Sequence, residues 1–352
     1  MPGPAYLDSR TCCKSSLPAV DTCLPERALP AFAPLAKSTP RYHRIMGLRF
    51  VGFVLLALSL STAHADPVKL RVGTLSVDGS RYTADMLALA KEIELRTKRQ
   101  VRLDFVTGGQ LGDEQAMAAQ IRDGKLDGGA LSETGLIALV PEMAAWQYPG
   151  LFRDYADVDR ATAALDAEVR ERFAKRGLTF VMWADLGFSH LFSTQPIANL
   201  RDVLGRAAPL LTVPIDGKLT DAIVQRRASA WALPPLYQMV IGAQRARFMT
   251  ELRYRYVVGG LVFHGAAWAK LTGPHRKVVL ETCRDYEPKL RASWRAETER
   301  GIAALVKAGV SIRASAPTET AAFREAAAAS RRAHARGGVA ELVTAISASL
   351  AR

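Results

Sequence analysis

At 352 residues, 49% apolar and 23% charged, the chain can bury one large or two medium cores, which excludes disorder throughout. No apolar run reaches the roughly 18 residues a membrane-spanning helix needs, so a polytopic membrane protein is excluded as well. A net charge of +13 and four cysteines raise nucleic-acid binding, a metal site and a disulfide framework as classes to test along the chain.

The basic start Met46 to Arg49, the apolar run Phe50 to Leu60 and the small-x-small end Ala63-His64-Ala65 come in the order of an export signal. We therefore expect residues 1–65, an upstream segment plus signal peptide, to be absent from a mature chain that begins at Asp66 and lies in the periplasm. Met1 to Ile45 precede an in-frame Met46 and carry no targeting pattern. Cys12, Cys13 and Cys23 fall in that segment, so Cys283 alone remains and no disulfide can form within the mature chain. Seven Lys/Arg and three Asp/Glu also lie there, which leaves +9 for the remainder. That charge is uneven. Residues 66–198 hold 16 basic and 19 acidic side chains, so all the net positive charge lies beyond them, mostly as scattered Arg. With no finger, RRM or helix-turn-helix pattern, nucleic acid is not an expected partner.

From Asp66 the pattern alternates between strands and helices. Lys69 to Leu75 is β-rich, Ser80 is a plausible N-cap, and Tyr82, Met86, Leu89, Ala90 and Ile93 recur at helical spacing. Val101 to Val106 alternates at period two, Gly112 to Asp123 reads as a helix closed by Gly124, and Leu126 to Leu131 is a third strand. Such an order implies a parallel sheet with right-handed crossovers. A long helix over about Val158 to Lys175 precedes a strand from Gly177 to Trp183. Further strands are expected at Ser189 to Ser193, Leu210 to Val213, Ala228 to Trp231 and Tyr254 to His264. The stripe Val279, Cys283, Tyr286, Leu290, Trp294, Gly301 and Leu305 marks one buried helical face, which Pro288 should kink or divide. Ala-rich helices with a break at Gly337-Gly338 finish the chain. No linker separates the mature chain into independent beads, so two lobes sharing crossover segments are expected.

The segment Gly108-Gly109-Gln110-Leu111-Gly112-Asp113-Glu114, with Gly124-Lys125-Leu126-Asp127 downstream, resembles the periplasmic solute-binding proteins of TRAP transporters, the DctP type or solute-binding protein family 7. The likeness continues through Leu139 to Met143, Tyr148 to Asp154, Gly177 to Phe188 and Gly259 to Trp268. It implies an α/β, two-lobed periplasmic binding protein fold, type II-like, with mixed sheets, crossover strands and a helical C-terminus. We assign lobe I to 66–186 plus about 260–298 and lobe II to 187–259 plus about 299–352. Open α/β sheets bind ligands beyond the carboxyl ends of their strands, which places Thr74, Ser132, Glu133 and the Trp183 to Ser189 segment, with Phe188, around an inter-lobe cleft.

Several positions leave the family pattern. The strand that carries a carboxylate-pairing Arg is shortened; Arg201 and Arg206 lie in that stretch, and neither inherits the role. A second Arg usual after Gly-Phe is Ser189, with His190 beside it as a candidate polar replacement. The usual Asn before Pro is Leu233. Trp231, Leu233 and Tyr237 gather at one strand end, which fits either core packing or the wall for a small apolar or weakly polar ligand. The resemblance further implies membrane subunits of a TRAP transporter as partners, with a helical-repeat periplasmic protein as an additional one. The alternative is a degenerate scaffold that keeps protein contacts and binds no solute. Catalytic motifs, cofactor signatures and zinc spacings are lacking, and Ser189-His190 is no dyad because neighbouring strand residues point to opposite faces, so no enzyme, cofactor or metal is expected.

Overall fold

The structure is a computed structural model that describes residues 66–197, 200 and 217–351. The export segment, the other three cysteines, Arg201, Arg206 and the strand expected at Leu210 to Val213 lie outside the described residues.

Strands β1 (Val68–Gly73), β2 (Val101–Val106) and β3 (Gly128–Ser132) alternate with helices α1 (Arg81–Arg96) and α2 (Glu114–Arg122). β1 pairs in parallel with both β2 and β3, as the alternation predicts. Each helix starts on a side chain that satisfies a free backbone N–H: Ser80 accepts from Thr83 N and Asp113 from Ala116 N. Helix α3 (Glu133–Leu139) leaves directly from β3, capped by Ser132, and α4 (Tyr155–Ala174) starts on Asp154.

Two strands then run the length of the sheet. β4 (Leu178–Ser193) and β6 (Phe248–His264) pair antiparallel over most of their 16 and 17 residues. At one end β6 also pairs with β3; at the other it pairs with β7 (Ser311–Ala314), while β4 pairs with β5 (Ala230–Leu233). The order β2-β1-β3-β6-β4-β5, with β7 on β6, makes one mixed sheet whose long strands tie its two ends. The sequence pattern predicts a break near Gly187. Instead Gly187, at φ +95°, is absorbed in a register shift between Asp185 and Gly187, so two expected strands are one bulged strand.

Buried side chains form cores on both faces at each end. Met117, Trp146, Phe173 and Phe180 pack beneath α2 and α4, with Leu342 and Ile346 of α10 (Gly337–Leu350). Leu70, Val72, Leu89, Ile93 and Phe263 pack on the other face with Val279, Cys283 and Trp294. At the far end, Trp231 and Leu233 face one core with Leu219 and Ile223 of α5 (Gly217–Val224), and Ala230 and Ala232 face another with Phe323 of α9 (Pro317–His334). Each fully buried Leu, Val or Phe contributes about 1.5–3 kcal/mol.

Between these ends lie α6 (Pro235–Ile241) and the short α7 (Gly265–Ala269). Helix α8 (Gly273–Lys307) is a single 35-residue helix that contains Pro288. No new segment begins at the proline, contrary to one of the two expectations, because the buried stripe continues on both sides through Val279, Cys283, Leu290 and Trp294. One lost hydrogen bond is outweighed by that packing. Cys283 is fully buried, and burial pushes its thiol up to about 12, so it stays protonated and unreactive.

Candidate functional site

The carboxyl ends of β1 and β3 bring Thr74, Ser132 and Glu133 to one edge of the sheet, as expected for an open α/β fold. All three are buried, at 4%, 6% and 1% exposure. Tyr237, on α6, packs against the core that holds Trp231 and Leu233; burial, then the charges of Glu114 and Glu133, hold its hydroxyl well above the ordinary phenol range.

Glu114, from the Gly-rich motif, is the brace of this edge. Its carboxylate accepts from Ser132 N at 2.7 Å, Ser132 Oγ at 2.5 Å and Gly135 N at 2.8 Å. It thereby satisfies the N-terminus of α3 and fixes where Glu133 leaves β3. Asp113 caps its own helix, whereas Glu114 serves the start of the next one.

Glu133 is held differently. Neither of its carboxylate oxygens has a hydrogen-bond partner, and Arg255 Nη2 stands 3.5 Å from Oε1. Burial raises the Glu133 carboxyl to about 7; the Arg255 cation opposes the shift and Glu114 adds to it. Arg255 comes from β6, is 2% exposed at its side chain, and donates through Nη1 to Gln147 Oε1 at 3.0 Å. Its Nε and Nη2 are buried and make no hydrogen bond, Nη2 being the nitrogen that faces Glu133. In the β4–β6 register Arg255 stands opposite Ser189. A guanidinium therefore reaches the region of position 189 from the neighbouring strand. Neither Arg255 nor Gln147 is evident from sequence, because the alternation Leu252, Tyr254, Tyr256 marks Arg255, like Arg253, as outward-facing.

The remaining expected residues do not join that edge. Trp183 lies inside β4; its Nε1 donates to Asp166 Oδ1 at 2.9 Å, and it lines an outer groove of about 720 Å³ with residues of α4 and α8. Phe188 belongs to an aromatic cluster with Tyr155 and Tyr256, at centroid distances of 5.3 and 5.0 Å. Trp231 and Leu233 are core residues, and Trp231 Nε1 is spent on Gln238 Oε1 at 2.8 Å.

His190 is buried opposite Leu233, with no partner for Nδ1. Burial, reinforced by the Arg253 cation, lowers it to about 4, so it is neutral in the native state. A depressed imidazole favours folding above the unfolded value near 6.5 and loses that contribution as pH falls toward 4, about 3 kcal/mol in all. Replacing His190 with Phe is expected to improve stability relative to the wild type by that amount between pH 7 and pH 4, as read by urea unfolding at each pH. An unchanged difference between the two proteins would show that His190 titrates normally.

Among the described residues no group of three or more His, Cys, Asp or Glu is placed to hold a metal ion, and no helix is long and apolar enough to cross a membrane.

The family model described as "Bacterial extracellular solute-binding protein, family 7" (DctP) matches residues 73–208 and 242–336. The chain belongs to this family. Among solved structures, the DctP sugar acid binding protein of Advenella mimigardefordensis in complex with galactonate is 15% identical, with a TM-score of 0.73 over 81% of this chain and 98% of that one. A TRAP periplasmic solute binding protein from Desulfovibrio salexigens with bound orotic acid is 18% identical, with a TM-score of 0.72 over 81% and 99%. These likenesses show the fold: two lobes joined by crossover strands, here β4 and β6. Curated relatives include "Uncharacterized protein y4mM" of Sinorhizobium fredii, 30% identical over 127 residues, 36% of this chain and 24% of that protein. A "Solute-binding protein" of Verminephrobacter eiseniae is 26% identical over 171 residues, 47% and 49% respectively. The DctP-family chain thus spans a quarter to a half of the curated relatives it matches.

Proposed function

We propose that this DctP-family protein is the periplasmic solute-binding subunit of a TRAP-type transporter, exported by the segment 46–65. Lobe I, residues 66–186 with about 260–298, and lobe II, residues 187–259 with about 299–352, close on a small ligand by bending along β4 and β6. Membrane subunits then take the ligand from the closed form. A helical-repeat periplasmic protein is the further partner that the resemblance suggests, and no catalytic step is required.

The observation that carries this reading is the buried Glu133–Arg255 ion pair at the strand ends, 3.5 Å apart and with hydrogen-bonding capacity unfilled on both side chains. Ligand-binding roles go to Thr74, Ser132, Glu133 and Tyr237. Phe188 and His190 lie nearby on the crossover strand, while Trp183, Trp231 and Leu233 support the lobes from within. With Trp231 and Leu233 committed to core, the ligand is small and weakly polar and carries one acidic group. The structural relatives that hold galactonate and orotic acid hold acids, which supports the acidic group.

A thermal-shift screen of the purified protein against small organic acids and uncharged apolar compounds tests the reading. A ligand at 100 times its Kd stabilises the native state by about 2.7 kcal/mol, expected to raise Tm by about 5 °C. A screen in which nothing shifts Tm, in a protein that still binds the membrane subunits, would favour the scaffold instead.

A further inference from the structure

We propose that the rim of lobe II where α5, α6 and α8 end is a contact surface for the headgroups of anionic phospholipids. The surface is independent of the solute cleft and draws on the solute-binding reading only in that a transporter subunit works beside a membrane.

Hydrogen bonds tie the three helix ends together. Arg245 donates through Nη1 to the carbonyl of Val224, the last residue of α5, at 2.9 Å, and through its backbone N–H to Gly242 O, just past α6, at 3.1 Å. Two residues on, Arg247 O accepts from Ser311 N at 2.9 Å, and the neighbouring Val310 N donates to Leu305 O near the end of α8 at 3.0 Å. One core lies beneath all of them, with Ile223, Ala246, Leu305 and Val310 in it.

The charged side chains of this rim have one sign. Residues 222–228, 239–248 and 305–312 contain Arg226, Arg227, Arg245, Arg247 and Lys307 and no Asp or Glu. None of the five has a carboxylate partner among the described residues, whereas Arg153, Arg170, Arg176 and Arg295 elsewhere each have one. Helix C-termini attract cations, which accounts for part of this charge. Two observations go past it. The first is Arg226, whose φ of +56° is left-handed; it closes α5, with its N–H on Ile223 O and that of Arg227 on Ala222 O. Glycine is the usual residue in that position, and α8 does place Gly309 there, at φ +89°. The backbone of α5 is therefore strained to present a cation. The second is apolar. Among the described residues lobe II exposes three large aliphatic side chains, Val224 at 38%, Val240 at 73% and Val306 at 55%, and each is the last or next-to-last residue of one of these helices. Compensating a helix dipole asks for no exposed valine. Unpaired guanidiniums with short aliphatic side chains among them suit a lipid interface: phosphate oxygens accept from the forks, and the aliphatic groups enter the boundary with the acyl chains. A protein partner must match the three helix ends in shape, whereas a lipid surface conforms to them.

The test is cosedimentation of the purified protein with vesicles of phosphatidylcholine alone and of phosphatidylcholine with phosphatidylglycerol as one third of the lipid. Binding to the anionic vesicles should be at least 10-fold tighter than to the neutral ones at about 50 mM salt and should fall at least 10-fold by about 300 mM, as screening weakens the headgroup attraction. Arg226→Gly favours the turn it occupies, so vesicle binding about 5-fold weaker, the effect of one charge near an anionic surface, with an unchanged or higher Tm separates loss of contact from loss of fold. Arg226→Gly, Arg227→Gln, Arg247→Gln and Lys307→Gln together should abolish the preference for anionic vesicles; Arg245 is kept because it braces Val224. A lobe I variant that removes the same charge from exposed positions, Lys69→Gln, Lys98→Gln, Arg99→Gln and Arg122→Gln together, should bind like the wild type. Val240→Ser with Val306→Ser should weaken binding by the same factor at both salt concentrations. Equal binding to neutral and anionic vesicles, or equal losses in the two quadruple variants, would overturn the surface. So would capture by membrane subunits in neutral lipid that the lobe II variant loses while anionic vesicles leave the wild type unbound, since the partner is then a protein. The lobe II variants should keep the wild-type ligand response in the thermal-shift screen, so failure of the surface and failure of the solute reading are told apart by separate assays.

Discussion

Replacing Glu114 with Ala should cost about 3–4 kcal/mol in urea unfolding. The substitution strands three donors, Ser132 N, Ser132 Oγ and Gly135 N, in a region where Ser132 is 6% exposed and Glu114 itself 5%. Each buried donor left without an acceptor costs about 1–3 kcal/mol, and the three losses are not additive because the strand end relaxes as one piece. Glu114→Gln should cost about 2 kcal/mol, since the amide retains one acceptor but turns an N–H₂ toward groups that are themselves donors. Both variants should also weaken ligand binding, because the brace fixes where Glu133 leaves β3. A loss under 1 kcal/mol for Glu114→Ala would mean that water satisfies these groups and that the motif's Glu has no bracing role.

The second large effect is expected at Gly259. In β6 it faces Ser132 of β3, and a Cβ there would stand 2.6 Å from the Leu131 carbonyl oxygen and 2.7 Å from Leu186 Cδ1. The carbonyl belongs to a paired strand and cannot swing away, so the strands must separate. Gly259→Ala should destabilise by about 3 kcal/mol and Gly259→Val by more, at the upper end of what overpacking costs. Separating β3 from β6 also moves Glu133 from Arg255, so surviving Gly259→Ala protein should bind ligand less tightly. Wild-type stability in that variant would contradict the close approach.

Much of this was legible in the sequence, for reasons that are physical. The first three strands and two helices follow from period-two and 3.6-residue patterns that both solvent and core enforce, and Ser80 marks the first helix start. Where a long strand has both faces covered, the pattern fails: Gly187 reads as a turn, yet a bulge carries β4 through it. Pro288 similarly reads as a boundary, and tertiary packing overrides it. The placement of Thr74, Ser132 and Glu133 at the carboxyl ends of β1 and β3 follows from the strand assignments. Trp231 and Leu233 were open to two readings, and their opposite partners, Gln238 and the α5 side chains, place them in the core. Arg255 was invisible because a cation in a strand alternation reads as solvent-facing, and only the β4–β6 register shows it opposite Ser189.

The central claim is that two lobes close on a small solute, and small-angle X-ray scattering of the purified protein reads that closure directly. With the compound that gives the largest rise in Tm, the radius of gyration should fall, and Arg255→Gln under the same conditions should stay open. A compound that binds the wild type and leaves its radius of gyration unchanged would contradict the account.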